Sequence, residues 1–347
     1  MPTKEELTYF QRLPLDVKVA KTRQRITEWV DAFGINGVYV SFSGGKDSTV
    51  LLHLVREMYP DVPAVFVNTG LEFPEIQQFV RKFDNVVTLT PKMRFPEVIK
   101  TYGYPFISKD IGQAVYEAKR GLRSGSGLYS YRLKKLNGEL ISKDGQKSKF
   151  NAEKYKPLLY TDLDISDRCC YVMKKSPSKK YECESKRRLI VGTMASESAI
   201  RQAVWLKEGC NAFDVKRPSS KPMSFWNDND VLKYIKENNI EIASVYGDVV
   251  PADNQLSMFD DEPCKYCTTG CYRTGCIFCG FGAHLDKVPR FKRLKETHPK
   301  QYNYCIGGGE YDINGIWIPN KNGLGMGHVI DKLNELYSKN GKPFIDY

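Results

Sequence analysis

The segment SFSGGKDSTVLLHL, residues 41–54, constrains the fold of this chain more than any other. It follows GINGVYV, an apolar run typical of a short strand, and its own apolar residues then recur at helical spacing. Two glycines let the backbone approach an anion closely, and the first amides of the following helix point at that anion. Lys46 adds a positive charge. The segment therefore predicts a phosphate-binding loop between a strand and a helix.

The spacing differs from that of a Walker A loop, which needs Gly, four residues, Gly-Lys and then Ser or Thr. Val40 stands at the first glycine position, and Asp47 follows Lys46. An aspartate beside a polyanion is expected to bind Mg²⁺ or to fix the loop. The expected phosphate ligands of the loop are its hydroxyls, glycines and charged residues: Ser41, Ser43, Gly44, Gly45, Lys46, Asp47 and Ser48. Lys46 and Asp47 are the expected catalytic residues.

Strand-like and helix-like segments alternate after the loop, which predicts βαβ units and a parallel sheet. The predicted strands lie in VPAVFV, NVVTLTP and RRLIVGTM, and the predicted helices include PEIQQFVRKF and NDNDVLKYIKENNI. Residues 4–33 are predicted as one helix from their apolar spacing. The fold class is therefore α/β, with a parallel twisted sheet flanked by helices.

Composition divides the chain into four parts. They are an N-terminal helical segment (1–36), a nucleotide-binding domain (37–255), a Cys-rich metal module (256–310) and a C-terminal tail region (311–347). Apolar runs are too short to cross a bilayer and the N-terminus has no signal-peptide pattern, so we expect a cytoplasmic protein without a membrane partner.

A basic insertion, residues 119–156, interrupts the nucleotide-binding domain. It carries eleven Lys and Arg against three Asp and Glu, and its SGSG and KDG turns predict a mobile loop or hairpin. The whole chain has a net charge of +11. A solvated loop explains this charge, and so does contact with the phosphate backbone of a nucleic acid, so both interpretations stand.

Several ordered motifs resemble one family. SGGKDS resembles the PP-loop of the ATP pyrophosphatase superfamily, and NTGLEFPE resembles a D-T-G-x-x-F-P-E segment of the phosphoadenylyl-sulfate (PAPS) reductases, with Asn68 for its Asp. VGTMASESAIR is similar to that family's G-x-R-x-x-E-S-x-x-R, with Met194 for the first Arg. The pair Cys169–Cys170 and the later GCIFCGFG resemble cysteine motifs of the adenylyl-sulfate reductases. The resemblance covers about residues 37–282.

The resemblance implies an adenine nucleotide alpha hydrolase-like fold that binds ATP or a sulfonucleotide. It adds to the expected nucleotide site the residues that match its motifs: Thr69, Gly70, Gly192, Glu197 and Arg201. An ordinary helical ion pair is the alternative for Glu197 and Arg201.

The cysteines predict a metal site. In the cytoplasm ten cysteines are not expected to form a disulfide framework, and C-x-x-C pairs are typical metal ligands. The resemblance implies a [4Fe–4S] cluster held by Cys169, Cys170, Cys276 and Cys279. The alternatives are a Zn²⁺ site and ligands drawn from the local run of Cys264, Cys267 and Cys271.

Two departures from the reductases shape the expected function. The sequence has no E-C-G-x-H nucleophile motif, and its SGGKDS loop is intact, as suits whole ATP. The resemblance then favours relatives that cleave ATP at the α–β bond and transfer sulfur, such as DNA phosphorothioation enzymes and tRNA thiolases. One alternative is a sulfonucleotide reductase that releases sulfite. Another is a non-catalytic, nucleotide-dependent nucleic-acid-binding module.

Overall fold

The computed structural model describes residues 2–125, 127, 129–252 and 265–347. The chain folds into two compact units. Unit 1 contains residues 1–68, 72–90 and 177–275, and unit 2 contains residues 69–71, 91–176 and 276–347.

The strands in chain order are β1 (Val38–Ser41), β2 (Ala64–Val67), β3 (Val86–Leu89), β4 (Phe106–Ile107), β5 (Arg188–Ile190), β6 (Asn211–Ala212), β7 (Ser219–Ser220), β8 (Val249–Pro251), β9 (Tyr266–Thr268), β10 (Gly280–Phe281), β11 (Glu310–Tyr311) and β12 (Trp317–Ile318). The α-helices are α1 (Lys4–Arg12), α2 (Leu15–Phe33), α3 (Lys46–Met58), α4 (Pro74–Val80), α5 (Phe95–Tyr102), α6 (Lys109–Ser124), α7 (Ser130–Asn137), α8 (Arg168–Cys170), α9 (Ser176–Ser185), α10 (Ala199–Glu208), α11 (Asp228–Glu237), α12 (Arg290–Thr297), α13 (Pro299–Ile306) and α14 (Met326–Tyr337).

Unit 1 is built on a six-stranded sheet with the order β3-β2-β1-β5-β7-β6. All neighbours are parallel except β6, which pairs antiparallel with β7. Strands β2 and β3 add to one side of β1, and β5, β7 and β6 add to the other, so the strand order reverses at β1. The loop after β1 therefore lies at the topological switch point, where open α/β sheets bind ligands. The predicted α/β class with a mainly parallel, helix-flanked sheet is confirmed.

Burial explains the central strand and the helix after the loop. Val38, Tyr39 and Val40 are all buried, as expected for a strand covered on both faces of a parallel sheet. Helix α3 then buries an apolar stripe that includes Leu51 and Val55. Together these two elements fix the position of the loop that joins them.

The N-terminal helix differs from the single helix predicted over residues 4–33. It is broken into α1 and α2, and Pro14 is the cap residue of α2. Proline fixes its own φ and disfavours a helical conformation in the preceding residue, so the helix ends and restarts there. Apolar residues recur at helical spacing on both sides of the break. The spacing alone therefore predicted one helix instead of two.

A buried ion pair joins α2 to α11 within unit 1. The Lys18 ammonium lies 2.7 Å from Asp230 Oδ2, and the Lys18 side chain is 2% exposed. Asp230 also accepts a hydrogen bond from the backbone N–H of Asn227, the cap residue of α11. One carboxylate therefore both caps α11 and neutralises a buried cation.

Replacing Lys18 with alanine should lower the free energy of unfolding by about 3 kcal/mol, because Asp230 would remain buried without its cation. Urea denaturation measures this loss. Lys236→Ala, at an exposed position on α11, is the matched control. A loss for Lys18→Ala no larger than that of the control would contradict the structural role of the pair.

Unit 2 holds a short parallel pair of strands, β4 with β10, and an antiparallel pair, β11 with β12. A Cβ on Gly280 would lie 2.4 Å from the Phe106 ring and 2.7 Å from Pro105 O, so only glycine fits where β10 approaches β4. The region expected as a tail, residues 311–347, contains β12 and the twelve-residue helix α14. Val329, Ile330 and Leu333 of α14 are fully buried, so this region is part of the core of unit 2.

The basic insertion combines helices, which were not predicted, with a hairpin turn at the KDG segment, which was. The end of α6, helix α7 and a 3₁₀ segment at Glu153–Tyr160 make up much of its length, with one antiparallel bridge between Ile141 and Lys147. The turn-forming residues correctly predicted breaks but gave no information on the helices between them.

Much of the positive charge of the insertion has partners within unit 2. Lys119 is buried and donates to the carbonyls of Thr161 and Leu163. Four further cations pair with carboxylates: Arg123 with Asp164, Arg132 with Glu117, Lys135 with Asp110 and Lys147 with Glu153. These contacts reduce the charge that the segment can offer to a nucleic acid.

The two compact units do not follow the four predicted parts of the chain. The predicted nucleotide-binding domain, residues 37–255, contributes to both units, and the Cys-rich run is divided after Gly275. In the part of the chain that the structure describes, no helix combines the length and apolarity needed to span a membrane.

Candidate nucleotide site and cysteine cluster

The predicted phosphate loop lies between β1 and α3 in unit 1. Three of its backbone N–H groups donate hydrogen bonds to side-chain hydroxyl oxygens of the protein. The Ser43 N–H donates to Ser48 Oγ at 3.1 Å, and the Gly45 N–H donates to Ser43 Oγ at 3.4 Å. The Lys46 N–H donates to Tyr246 Oη at 3.3 Å. Backbone N–H groups at a helix N-terminus are the kind of donor that binds phosphate. In this structure, hydroxyl oxygens of the protein accept the hydrogen bonds that phosphate oxygens would accept.

Two glycines are required by the space around the loop. Gly44 has φ +71°, and a Cβ there would lie 2.8 Å from methyl groups of Ile76 and Val80. Gly192 follows β5 closely in sequence, and a Cβ there would lie 3.0 Å from the Asp47 carbonyl oxygen. The structure thus places the predicted Gly192 directly against the loop.

Replacing Gly44 with alanine should lower the free energy of unfolding by about 2 kcal/mol or more, because both the backbone conformation and the packing oppose a Cβ. Gly275→Ala is the control, since a Cβ at Gly275 has nothing within 4 Å. Urea denaturation of both variants measures the difference. Equal losses in the two variants would show that the loop tolerates a side chain at Gly44.

Lys46 is buried and lies between two carboxylates. Its side chain is 2% exposed, with Nζ 2.8 Å from Asp228 Oδ1 and 3.1 Å from Asp47 Oδ1. Burial alone would lower the pKa of Lys46, but Asp47 and Asp228 outweigh it and raise that pKa, so the ammonium stays charged. Lys46 is therefore a fixed positive charge at the start of α3.

Asp228 is the centre of this cluster, and the sequence did not single it out. Its carboxylate also accepts hydrogen bonds from Tyr272 Oη at 2.7 Å and Arg273 Nη2 at 2.9 Å. Burial would raise the pKa of Asp228, but Lys46, Tyr272 and Arg273 lower it to about 2. Asp228 is therefore charged at neutral pH, and its ion pairs stabilise the folded state. This contribution to the free energy of unfolding is lost only as the pH falls towards the lowered pKa of Asp228.

Residues 272–274 lie between Cys271 and Cys276, where the pattern of the sequence predicts a metal site rather than a nucleotide site. Thr274 Oγ1 lies 2.6 Å from Tyr246 Oη, the same oxygen that accepts from the Lys46 N–H. The only sequence signal was a Tyr-Arg-Thr triplet between Cys271 and Gly275.

Glu197 and Arg201 lie in the same unit and form an ion pair four residues apart. Glu197 also accepts a hydrogen bond from the Met194 N–H, and its Oε1 lies 3.6 Å from Arg273 Nη1. The ion pair is therefore present, but Glu197 lies in a 3₁₀ segment before the cap residue of α10, so the two residues do not share one helix. Arg273 connects the pair to Asp228. Thr69 and Gly70 belong to unit 2, where Thr69 Oγ1 accepts from the Leu71 N–H.

Four cysteines meet in unit 2. Cys169, Cys170, Cys276 and Cys279 line one cavity with apolar and basic neighbours, Leu71, Phe95, Pro105, Met173 and Lys174. A backbone turn from Cys279 N–H to Cys276 O, and a bond from Ile277 N–H to Leu71 O, hold the C-x-x-C loop. The cysteines of the paired motif and of the later C-x-x-C motif are thus brought together although more than a hundred residues separate them.

The electrostatics of this cysteine cluster favour a thiolate. The hydrogen bond with Cys169 lowers the pKa of Cys170 against the effect of burial, and Lys109, Lys174 and Lys175 add to the decrease. The same hydrogen bond raises the pKa of Cys169. Burial raises the pKa of Cys279, whose carbonyl accepts a hydrogen bond from Arg290.

The other candidate cysteines lie elsewhere. Cys267, in β9, and Cys271 belong to unit 1, and Cys264 lies outside the described residues. Within the described ranges, no three His, Cys, Asp or Glu side chains are placed to hold a single metal ion. Cys305 is fully buried, with Sγ 3.4 Å from Met326 Sδ, and burial raises its pKa.

Comparison with known proteins places the chain in a family. The model of the phosphoadenosine phosphosulfate reductase domain matches residues 37–124 and 129–279. The uncharacterized protein MJ0973 of Methanocaldococcus jannaschii is 40% identical over 73 residues, which are 20% of this chain and 18% of that protein. The chain thus spans under a fifth of the length of that relative.

Two further similarities extend over most of the chain. The adenosine 5'-phosphosulfate reductase of Staphylococcus epidermidis is 23% identical over 260 residues, covering 72% of this chain and 84% of that enzyme. The crystal structure of the PAPS reductase from Candida auris aligns with a TM-score of 0.37 and 14% identity, covering 70% of this chain and 91% of that chain. On the family match, this chain belongs to the phosphoadenosine phosphosulfate reductase domain family.

Proposed function

We propose that this protein binds ATP at the loop between β1 and α3, cleaves the α–β bond and couples the cleavage to sulfur transfer. The observation that carries the proposal is the charged, buried Lys46 at the N-terminus of α3, beside Gly44 and Gly45. A fixed cation, backbone amides and a helix dipole in one place suit the anionic phosphates of a nucleotide.

The proposed first step is adenylation. An oxygen of the acceptor attacks the α-phosphorus of ATP, the bond to the bridging α–β oxygen breaks, and pyrophosphate leaves with that electron pair. Lys46 neutralises the charge that develops on the leaving pyrophosphate. Asp47, close to Lys46 Nζ, is suited to hold a Mg²⁺ ion that assists the same departure. A sulfur nucleophile then displaces AMP from the acceptor.

The four cysteines of unit 2 would hold the cofactor. Four thiols around one cavity match the donor set of a [4Fe–4S] cluster, and the nearby Lys109, Lys174 and Lys175 would offset its negative charge. When bound, such a cluster would supply sulfur or electrons to the reaction. Zn²⁺ is the alternative, and it would require the thiols to move closer together, because no three of them are placed to hold a single ion in the described structure.

Nucleic acid is the proposed acceptor, on the basis of the net charge of +11. The basic insertion contributes less to this than its composition suggests, because five of its cations have partners within unit 2. Binding of the nucleic acid would therefore depend on Lys and Arg side chains spread over the chain rather than on the basic insertion alone.

A sulfonucleotide reductase that releases sulfite is the second candidate. The similarity to the Staphylococcus epidermidis reductase over 72% of this chain favours it. Reductases of this kind use a terminal cysteine nucleophile, whereas Cys305 is fully buried, and burial raises its pKa and so disfavours the reactive thiolate. This observation favours the ATP-dependent reaction.

The test is to supply anaerobically purified protein with ATP, and separately with PAPS or adenylyl sulfate, together with a thiol. We expect AMP and pyrophosphate from ATP. Sulfite from the sulfonucleotides, with ATP unchanged, would support the reductase. Binding of ATP without turnover on any acceptor tried would favour a non-catalytic nucleic-acid-binding module.

A further inference from the structure

The Asp228 carboxylate occupies a small anion-binding site made by its own unit. Lys46 Nζ lies 2.8 Å from one carboxylate oxygen, and Tyr272 Oη and Arg273 Nη2 lie 2.7 and 2.9 Å from the other. Two cations and a hydroxyl that converge on one anion form the set of donors that a phosphate group takes in proteins. A side-chain carboxylate thus takes the place that such a group could fill.

The charges of this cluster balance. Three cations and three carboxylates are joined by ion pairs, Lys46 with Asp47 and Asp228, Arg273 with Asp228 and Glu197, and Arg201 with Glu197. A polyphosphate brings several negative charges, and a neutral cluster attracts it weakly. Binding therefore requires that some of the cations exchange a carboxylate for a phosphate.

We propose that Arg273 and Tyr272 are phosphate-binding residues of this site, and that Asp228 holds them together with Lys46 until a polyphosphate displaces its carboxylate. The proposal rests on ATP binding at the loop, and it adds residues that neither the loop motif nor the family motifs contain. Asp228 then sets the affinity of the site by competing with the nucleotide.

The exposure of these side chains suits an exchange of partners. The side chains of Asp228 and Arg273 are 24% and 45% exposed, whereas that of Lys46 is 2% exposed. The carboxylate and the guanidinium can therefore move into solvent while the ammonium stays in place. The guanidinium offers a planar pair of donors, which fits two oxygens of one phosphate.

The segment that carries Arg273 also contacts the loop. Thr274 bonds Tyr246 Oη, which accepts from the Lys46 N–H, and a Cβ on Gly45 would lie 3.3 Å from that same oxygen. A phosphate oxygen that takes the Lys46 N–H would displace the tyrosine hydroxyl. Such a phosphate would then be close to both Arg273 and Lys46.

Isothermal titration calorimetry with the full chain tests the proposal, using ATP and inorganic pyrophosphate, each in EDTA and in Mg²⁺. Asp228→Asn keeps the shape of the side chain and removes the competing charge, so metal-free ATP should bind about tenfold more tightly than to the wild type. Arg273→Ala should bind it about tenfold more weakly, and Tyr272→Phe should lose about threefold. Asp214→Asn and Arg12→Ala, at exposed positions in unit 1, are the controls.

The outcomes separate this proposal from the proposed function. If the wild type binds ATP and Lys46→Ala does not, but Asp228→Asn binds metal-free ATP no better than the wild type, only the displacement proposal is overturned. Weaker binding by Asp228→Asn confined to the Mg²⁺ titrations would make Asp228 a metal ligand and would also overturn it. If neither the wild type nor Asp228→Asn binds ATP or pyrophosphate, both proposals fail.

Discussion

Replacing Lys46 with alanine should reduce pyrophosphate release from ATP by about a hundredfold or more, the typical effect of removing one preorganised charge from a phosphoryl-transfer site. Lys46 is the buried cation at the first turn of α3, and its ammonium is held in place by Asp47 and Asp228. A solvent cation cannot replace it without the same burial. The release of pyrophosphate is measured with a coupled colorimetric assay.

The control for this variant is Lys236→Ala, which removes an exposed lysine from α11 of the same unit. Folding of the Lys46 variant is checked by its thermal melting, because Asp228 keeps two other donors, Tyr272 and Arg273. Pyrophosphate release at the wild-type rate by a folded Lys46→Ala protein would show that the reaction occurs elsewhere.

Serine at Cys276 or Cys279 should abolish iron binding. Anaerobically reconstituted wild-type protein is expected to hold about four iron atoms per chain, and each variant about one or fewer. The physical reason is that these thiols line the same cavity as Cys169 and Cys170, so that the loss of one leaves an incomplete set of four. Iron and acid-labile sulfide analysis measures the change, together with the visible absorption of the cluster.

Cys267→Ser and Cys271→Ser are the matched controls for iron binding, because these cysteines belong to the other compact unit. They should retain the iron of the wild type. Loss of iron in these two variants, with the iron content of Cys276→Ser unchanged, would show that the ligands come from the local run of Cys264, Cys267 and Cys271. Stoichiometric zinc and no iron in the wild type would replace the cluster by a zinc site.

The central sheet and the loop could be predicted from sequence because their signals are local. The apolar run at Val38–Val40 and the helical spacing after Lys46 each lie within a few residues, and both elements form where they were predicted. Periodicity failed where a single residue overrides it, as Pro14 does between α1 and α2. It also gave no account of the region after residue 310, where α14 is packed into the core of unit 2.

The candidate site was only partly predictable because its charges come from distant parts of the chain. Lys46 stands in a recognisable loop, but Asp228 is 182 residues away in the first turn of α11, where an aspartate is common because it interacts favourably with the helix dipole. Tyr272 and Arg273 lie between Cys271 and Cys276, in a stretch whose cysteines predict a metal site. Only the tertiary structure brings them to one carboxylate.

The central claim, that this member of the family acts on whole ATP, is tested most directly by one assay of the wild type. The purified, reconstituted protein is incubated with ATP or with PAPS, and the products are separated by anion-exchange chromatography, with sulfite measured in parallel. The account predicts AMP and pyrophosphate from ATP, and no sulfite from PAPS. Sulfite from PAPS, with ATP recovered intact, would contradict it.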